Sequence, residues 1–122
     1  MFFKRHINEL RYKKIRQMSP NTVRLAEGGE IKFSVGLVYC DDSGEVIGKY
    51  TQDAGCADKF IVECGAEYAG TVVVDGNSCR VSSCHKTKYI AKNNTIKDIN
   101  GTVIAWYKGD IVGASAAFLC LK

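Results

Sequence analysis

Turn signals recur along most of this chain, and they constrain its fold more than any other feature. The dipeptides Asp75-Gly76 and Asn100-Gly101 favour tight hairpins, because both central residues of a type I′ turn need positive φ. Short apolar or alternating runs lie between the turn signals, and the 122 residues include only one proline. This pattern is typical of an antiparallel β domain. The sequence therefore predicts a single, mainly β fold, built either as a small barrel or as a sandwich.

The first predicted strand covers residues 32–39, where apolar side chains recur at a spacing of two. This spacing predicts that four side chains share one face of the strand: Phe33, Val35, Leu37 and Tyr39. A turn at 41–44 and a returning run at 45–50 predict a hairpin with this strand. The further strand candidates are 59–64, 70–74, 78–82, 87–91 and 102–108.

The last segment, residues 110–121, is compatible with two structures. Small residues at 113–117 allow a short helix capped by Asp110. Residues 118–121 fit a closing strand equally well.

Basic charge is concentrated at the start of the chain. Residues 1–24 hold seven Lys and Arg against one Glu, whereas residues 25–122 hold ten basic and twelve acidic side chains. Apolar Phe3, Ile7 and Leu10 recur at helical spacing, which predicts an amphipathic helix over about residues 4–17 that ends before Pro20. We therefore divide the chain into a basic arm, residues 1–20, and a β-rich globular domain, residues 21–122.

The basic arm is the strongest functional signal in the sequence, because its residue types neutralise phosphates and stack on bases. Its candidate contacts for a partner or for nucleic acid are Lys4, Arg5, Arg11, Tyr12, Lys13, Lys14 and Arg16. An alternative is that the arm lays its apolar side on the β domain or on a second subunit and keeps its cations in water. A third alternative is contact with an acidic protein or a membrane surface.

Trp106 and Tyr107 are a second candidate contact. Neighbouring residues of a strand point to opposite faces, so one of the two faces away from the core. An outward aromatic side chain is a natural contact for a partner, and it also fits a sheet that is covered on both faces.

The six cysteines show no Cys-x2-Cys pair. The nearest approach to zinc-ligand spacing is the group Cys79, Cys84 and His85, a weak candidate site. Disulfides are an alternative, and free thiols are the leading interpretation, with Cys40 and Cys120 acting as small hydrophobic residues of strands. The prediction is therefore no cofactor, with zinc as the alternative.

Motifs for catalysis are lacking. The chain has no phosphate-binding glycine loop, dinucleotide fingerprint or nucleophile elbow. Cys84 and His85 would point to opposite faces if both lay in a strand, so they do not predict a nucleophile and base pair. The sequence favours a protein that is not an enzyme.

Two fragments of the chain carry a resemblance to a known family. Asn8-Glu9-Leu10 and Arg16-Gln17-Met18-Ser19 resemble the opening of the single-stranded-RNA-binding replicase subunit of coronaviruses, which is also a small β-rich protein. The rest of the chain departs from that family in its cysteines, turns and spacing, so no site residue is carried over from it.

Taken together, the sequence predicts a non-enzymatic binding or assembly module that self-associates or docks a protein, with nucleic-acid binding through the arm as one alternative and a Cys/His metal or redox protein as another. Phage or mobile-element accessory proteins and virion proteins often have this character. The apolar runs are too short to span a bilayer, and the start of the chain lacks a signal-like apolar stretch. We therefore expect a cytoplasmic protein, in the host cytoplasm if the source is viral. A small-molecule ligand is not identified.

Overall fold

The computed structural model describes residues 18–39 and 43–121, and its described part is a closed β barrel with one helix. Ten strands follow one another around the barrel: β1 Thr22–Leu25, β2 Glu30–Ser34, β3 Leu37–Tyr39, β4 Val46–Asp53, β5 Cys56–Cys64, β6 Glu67–Asp75, β7 Ser78–Ser83, β8 Lys88–Lys92, β9 Thr95–Asp98 and β10 Val103–Lys108. Each strand pairs antiparallel with its neighbours in the chain, and β10 closes on β1. The barrel alternative of the predicted fold class is therefore the correct one. The predicted basic helix at 4–17 lies outside the described residues.

The helix α1, Ile111–Leu121, lies inside the barrel. It contacts strands β1–β8 and β10, and its residues 113–119 are all buried. A helix that is apolar on every side has to be enclosed, because no face of it suits water. This resolves the ambiguity at residues 110–121 in favour of a helix; the closing strand predicted for 118–121 is wrong.

Small side chains let a helix fit inside a barrel of this size. A Cβ added to Gly113 would lie 2.5 Å from the Phe33 ring and 2.9 Å from the Tyr50 hydroxyl oxygen. Further along α1, the Phe118 ring fills the lumen and meets the Tyr89 ring edge to face at a centroid distance of 4.8 Å. The core is thus built from the helix outward, with inward side chains of the strands packed around it.

The turns explain where the sequence-based strands were right and where they were wrong. The hairpins predicted at Asp75-Gly76 and Asn100-Gly101 are confirmed, as β6–β7 and β9–β10. The predicted type I′ geometry is wrong, because only the glycine of each dipeptide has positive φ, 64° at Gly76 and 82° at Gly101. The single strand predicted at 32–39 is wrong, because Gly36 adopts a φ of 78° and folds it into the β2–β3 hairpin.

The same turn separates side chains that were expected to share a face. Phe33 is buried in the lumen, whereas Val35, at the tip of the hairpin, is 96% exposed. Val38 is the β3 side chain that points inward.

Two strands, β1 and β9, were not predicted. The turn between β8 and β9 is made by Asn93 and Asn94, whose φ values are 51° and 65°. Asparagine is among the residues that tolerate positive φ best, so this dipeptide is a type I′ signal that sequence reasoning could have used.

Candidate functional site

Because the lumen of the barrel is filled, the candidate site lies on the outside of the barrel. A closed barrel with an empty interior can hold a small ligand, but here α1 occupies that space. The surfaces that remain are the outer faces of the strands and the two mouths of the barrel. No helix in the described part of the chain is long and apolar enough to cross a membrane.

A group of cations surrounds one exposed apolar side chain on the outer surface of β7, β8 and β9. Ile90, 47% exposed, lies at the centre, and its register partners on the two neighbouring strands are Arg80 and Lys97. Lys88 and Lys92 lie two residues before and after it on the same face of β8. We call these five residues the basic face.

The geometry of the sheet brings these four charges close together. Residues opposite each other on paired strands have Cα atoms about 5 Å apart, and residues two apart on one strand are separated by about 7 Å. The outward register neighbours of the four cations on the adjacent strands are Val73, Ser82, Thr95 and Val103, none of which is acidic. Within the described residues, none of the four cations forms a salt bridge, whereas Arg24, Lys49 and Lys59 each do.

Trp106 lies at the edge of the basic face. Its register partner on β9 is Thr95, which in turn pairs with Lys92 of β8. Trp106 is half-buried on the outer surface, whereas Tyr107 points into the lumen and is 3% exposed. Burial removes water from the Tyr107 hydroxyl and thereby raises the pKa of Tyr107. Of the predicted aromatic pair, Trp106 is therefore the one that lies on the outer surface.

A second outer surface is apolar. Val35 at the β2–β3 turn, Leu37 and Tyr39 on β3, and Val46 on β4 lie together, since Tyr39 and Val46 are register partners and Leu37 shares the outer face of β3 with Tyr39. Val35, Leu37 and Val46 are exposed and Tyr39 is half-buried. We call these four residues the apolar patch.

The two mouths of the barrel lie at the two ends of α1. The Asp110 mouth, at the first turn of the helix, opens into a cavity of about 320 Å³ with mostly apolar walls that include Phe33, Tyr50 and Phe60. Asp110 caps the helix, because its carboxylate accepts a hydrogen bond of 2.8 Å from the Gly113 amide. The predicted cap is therefore confirmed.

The cysteine mouth, at the last turn of α1, opens into a cavity of about 280 Å³ with more polar walls. Cys64 of β5 and Cys120 of α1 form a disulfide there, with Cα atoms 5.6 Å apart. The interpretation of Cys120 as a free thiol in a strand is thus wrong on both counts. Cys84 and His85 line the same cavity.

The structure does not bring the weak zinc candidates together. Cys79 is buried in the lumen, where burial raises the pKa of its thiol to about 11, whereas Cys84 is exposed at the mouth. Among the residues that the structure describes, no group of three or more Cys, His, Asp or Glu side chains is placed to hold a metal ion.

The arm candidates lie outside the described residues: Lys4, Arg5, Arg11, Tyr12, Lys13, Lys14 and Arg16. Sequence reasoning missed the basic face, although a signal was present. Lys88, Ile90 and Lys92 alternate with inward residues, and the same period of two in β7 places Arg80 outward.

Comparison of the chain with protein-family models, with curated proteins and with solved structures finds no match.

Proposed function

We propose that the chain is a non-enzymatic binding and assembly module and that nucleic acid is the partner of its basic face. The observation that carries this proposal is the arrangement of Arg80, Lys88, Lys92 and Lys97 around the exposed Ile90, with no acidic register neighbour.

Four like charges at this spacing repel one another, and the repulsion lowers the stability of the folded chain. An anionic partner relieves the repulsion, and phosphates gain further free energy by releasing their counterions. Nearby, Ile90 and Trp106 offer apolar surface against which bases can pack, while the cations hold the phosphate backbone.

An acidic protein segment is the competing partner for the same face. It would neutralise the cations equally well, but it would make less use of the apolar centre at Ile90 and of the Trp106 ring. The basic arm predicted at residues 1–20 would add further phosphate contacts to either complex.

Salt dependence tests this proposal directly. Fluorescence anisotropy of a short labelled single-stranded oligonucleotide is measured at several salt concentrations for the full chain and for Arg80→Ser/Lys97→Ser. Each phosphate contact contributes about 0.7 to the slope of log K against log salt, so the double variant should lower the slope by about 1.4. The matched control is Lys49→Ser/Lys59→Ser, which removes two cations already paired with Glu63 and Asp53.

The control variant should bind like the unaltered chain. Equal salt slopes for the unaltered chain and the basic-face variant would refute the proposal. Stronger binding of a labelled polyaspartate peptide than of the oligonucleotide would identify an acidic protein as the partner instead. A variant lacking residues 1–17, measured in parallel, separates the contribution of the arm from that of the barrel.

Self-association is the second candidate function, and the apolar patch is the observation that favours it. Val35 projects almost entirely into water beside Leu37 and Val46, and clustered exposed apolar side chains of this kind mark interaction surfaces. Native mass spectrometry of Val35→Ser/Val46→Ser should show a smaller fraction of oligomer than the unaltered chain. Ile99→Ser is the matched control, because Ile99 is 80% exposed outside the patch. An unaltered chain that is monomeric at all concentrations would exclude this function.

A further inference from the structure

The cysteine mouth brings three cysteines to one cavity. Cys64 and Cys120 form the disulfide that ties the end of α1 to β5, and Cys84 is a free, exposed thiol. All three line the cavity of about 280 Å³, so the disulfide and the free thiol border the same space. A disulfide beside an accessible third thiol is the arrangement that thiol–disulfide exchange requires.

The turn between β7 and β8 places a base beside the thiol. β7 ends at Ser83, so Cys84 and His85 lie in the turn rather than in the strand. The sequence argument that they point to opposite faces therefore does not apply, and both line the cavity. An imidazole at this position can accept the proton of the thiol.

The arrangement of strands decides which sulfur Cys84 can reach. β6 lies between β5 and β7, so the backbones of those two strands are about 10 Å apart, whereas a disulfide needs Cα atoms within about 7 Å. Direct pairing of Cys84 with Cys64 is therefore disfavoured.

The last turn of α1 approaches the end of β7 closely. A Cβ atom added to Gly70 would lie 3.1 Å from Leu119 Cδ1 and 3.0 Å from Ser83 Cα. Leu119 Cδ1 and Ser83 Cα are therefore at most about 6 Å apart. Leu119 and Ser83 are the chain neighbours of Cys120 and Cys84. A rotation of the last helical turn would carry Cys120 from β5 towards β7, and terminal turns are the part of a helix that opens most easily.

We propose that the cysteine mouth is an intramolecular thiol–disulfide exchange site, in which Cys84 replaces Cys64 as the disulfide partner of Cys120. The exchange would link the end of α1 to the β7–β8 turn instead of to β5. His85 accepts the Cys84 proton, and the thiolate attacks Cys120 Sγ. The Cys84–Cys120 bond forms, the Cys64–Cys120 bond breaks, and Cys64 leaves as a thiolate that takes the proton. The number of disulfides is unchanged, so no external oxidant or reductant is needed. The exchange is independent of the partner proposed for the basic face.

Disulfide mapping tests this exchange in the full chain. The protein is incubated at pH about 8.5, where free thiols are substantially ionised, then quenched with acid, alkylated and digested for mass spectrometry. We expect both Cys64–Cys120 and Cys84–Cys120 linked peptides, with alkylation of Cys64 that falls to background in Cys84→Ser. Cys56→Ser, which removes an exposed thiol that does not line the mouth, should leave the pattern unchanged.

A second variant measures whether Cys84 reaches Cys120. In Cys64→Ser, oxidised glutathione should convert Cys84 and Cys120 into a disulfide in preference to any pairing with Cys56. Absence of the Cys84–Cys120 peptide from the unaltered chain, or its failure to form in Cys64→Ser, would each overturn the proposal. A disulfide joining Cys84 to any cysteine other than Cys120 would overturn it as well.

Discussion

The two ends of α1 are held in place by different kinds of bond. At the Asp110 mouth the helix begins with a side-chain cap, and the Ala114 amide donates to the Asp110 carbonyl at 2.9 Å. At the cysteine mouth a covalent bond joins Cys120 to β5. The first end is therefore insensitive to thiol chemistry, whereas the second depends on it. A buried helix that is apolar on every side can thus be fastened differently at its two ends, while packing holds the stretch between them.

The largest expected effect concerns the packing between the ends. Phe118→Ala removes a fully buried ring that contacts Tyr89. The cavity it leaves stays open, because the helix is enclosed by the strands and cannot move to fill it. We expect a loss of about 3–5 kcal/mol in the free energy of unfolding, measured by urea denaturation. A loss below about 1 kcal/mol would mean that the helix is not enclosed as described.

Removal of the covalent fastening should have the next largest effect. The Cys64–Cys120 disulfide closes a sequence separation of 56 residues, so Cys120→Ser should lower the free energy of unfolding by about 2–4 kcal/mol. Reductant should destabilise the unaltered chain by a similar amount and leave Cys120→Ser unchanged, as followed by thermal denaturation. Cys56→Ser serves as the control, because Cys56 is a free, exposed thiol. Equal stability of the unaltered chain with and without reductant would show that the Cys64–Cys120 disulfide does not stabilise the fold.

Alkaline pH tests the middle of the lumen. Cys79 is buried against α1, and burial raises the pKa of its thiol from 9.0 to about 11, although a hydrogen bond with Ser115 opposes the shift. The folded state therefore holds this proton more tightly than the unfolded state. The resulting stability is present below pH about 9 and is lost as the pH rises towards about 11. By pH about 10 the loss from this group is on the order of 1 kcal/mol.

Desolvation also raises the pKa values of Tyr50 and Tyr107, which strengthens the same trend. Chemical denaturation at several pH values measures the slope. Cys79→Ala should reduce the dependence of the free energy of unfolding on alkaline pH. An unchanged dependence in that variant would show that the Cys79 thiol does not cause it.

The smallest expected effect belongs to the noncovalent end. Asp110→Ala removes the acceptor for the Gly113 amide and should lower the free energy of unfolding by about 1 kcal/mol. Asp110→Asn keeps a capping oxygen and should recover most of that loss. Reductant should add its own effect to Asp110→Ala, since the two ends are far apart along the helix. If Asp110→Ala lowered the free energy of unfolding more than Cys120→Ser does, the cap would contribute more to stability than the disulfide, contrary to this prediction.

Much of the barrel could be predicted from the sequence because hairpins are local. Gly76 and Gly101 adopt a positive φ that few other residues tolerate, and the flanking strands follow from the turns they make. Local rules also explain the main error. The period of two in residues 32–39 continues through Gly36, whose positive φ reverses the chain, so the pattern was read across a turn.

The candidate surfaces were predictable only in part, because they join residues from different strands. Trp106 could be identified as one of two outward candidates, but the inward position of Tyr107 depends on which face closes around the lumen. Arg80 and Lys97 become neighbours of Ile90 only through the register of three strands. Sequence spacing alone does not set that register.

By itself the sequence determined an antiparallel β domain, the cap at Asp110 and an unequal distribution of charge. The tertiary structure decided that the sheet closes into a barrel, that α1 fills it, and that Cys64 meets Cys120. The physical reason is that turns and caps depend on the conformation of a few adjacent residues. Closure, enclosure and the disulfide depend on contacts between residues far apart in the chain, which form only when the strands pair in one register around a helix small enough to fit.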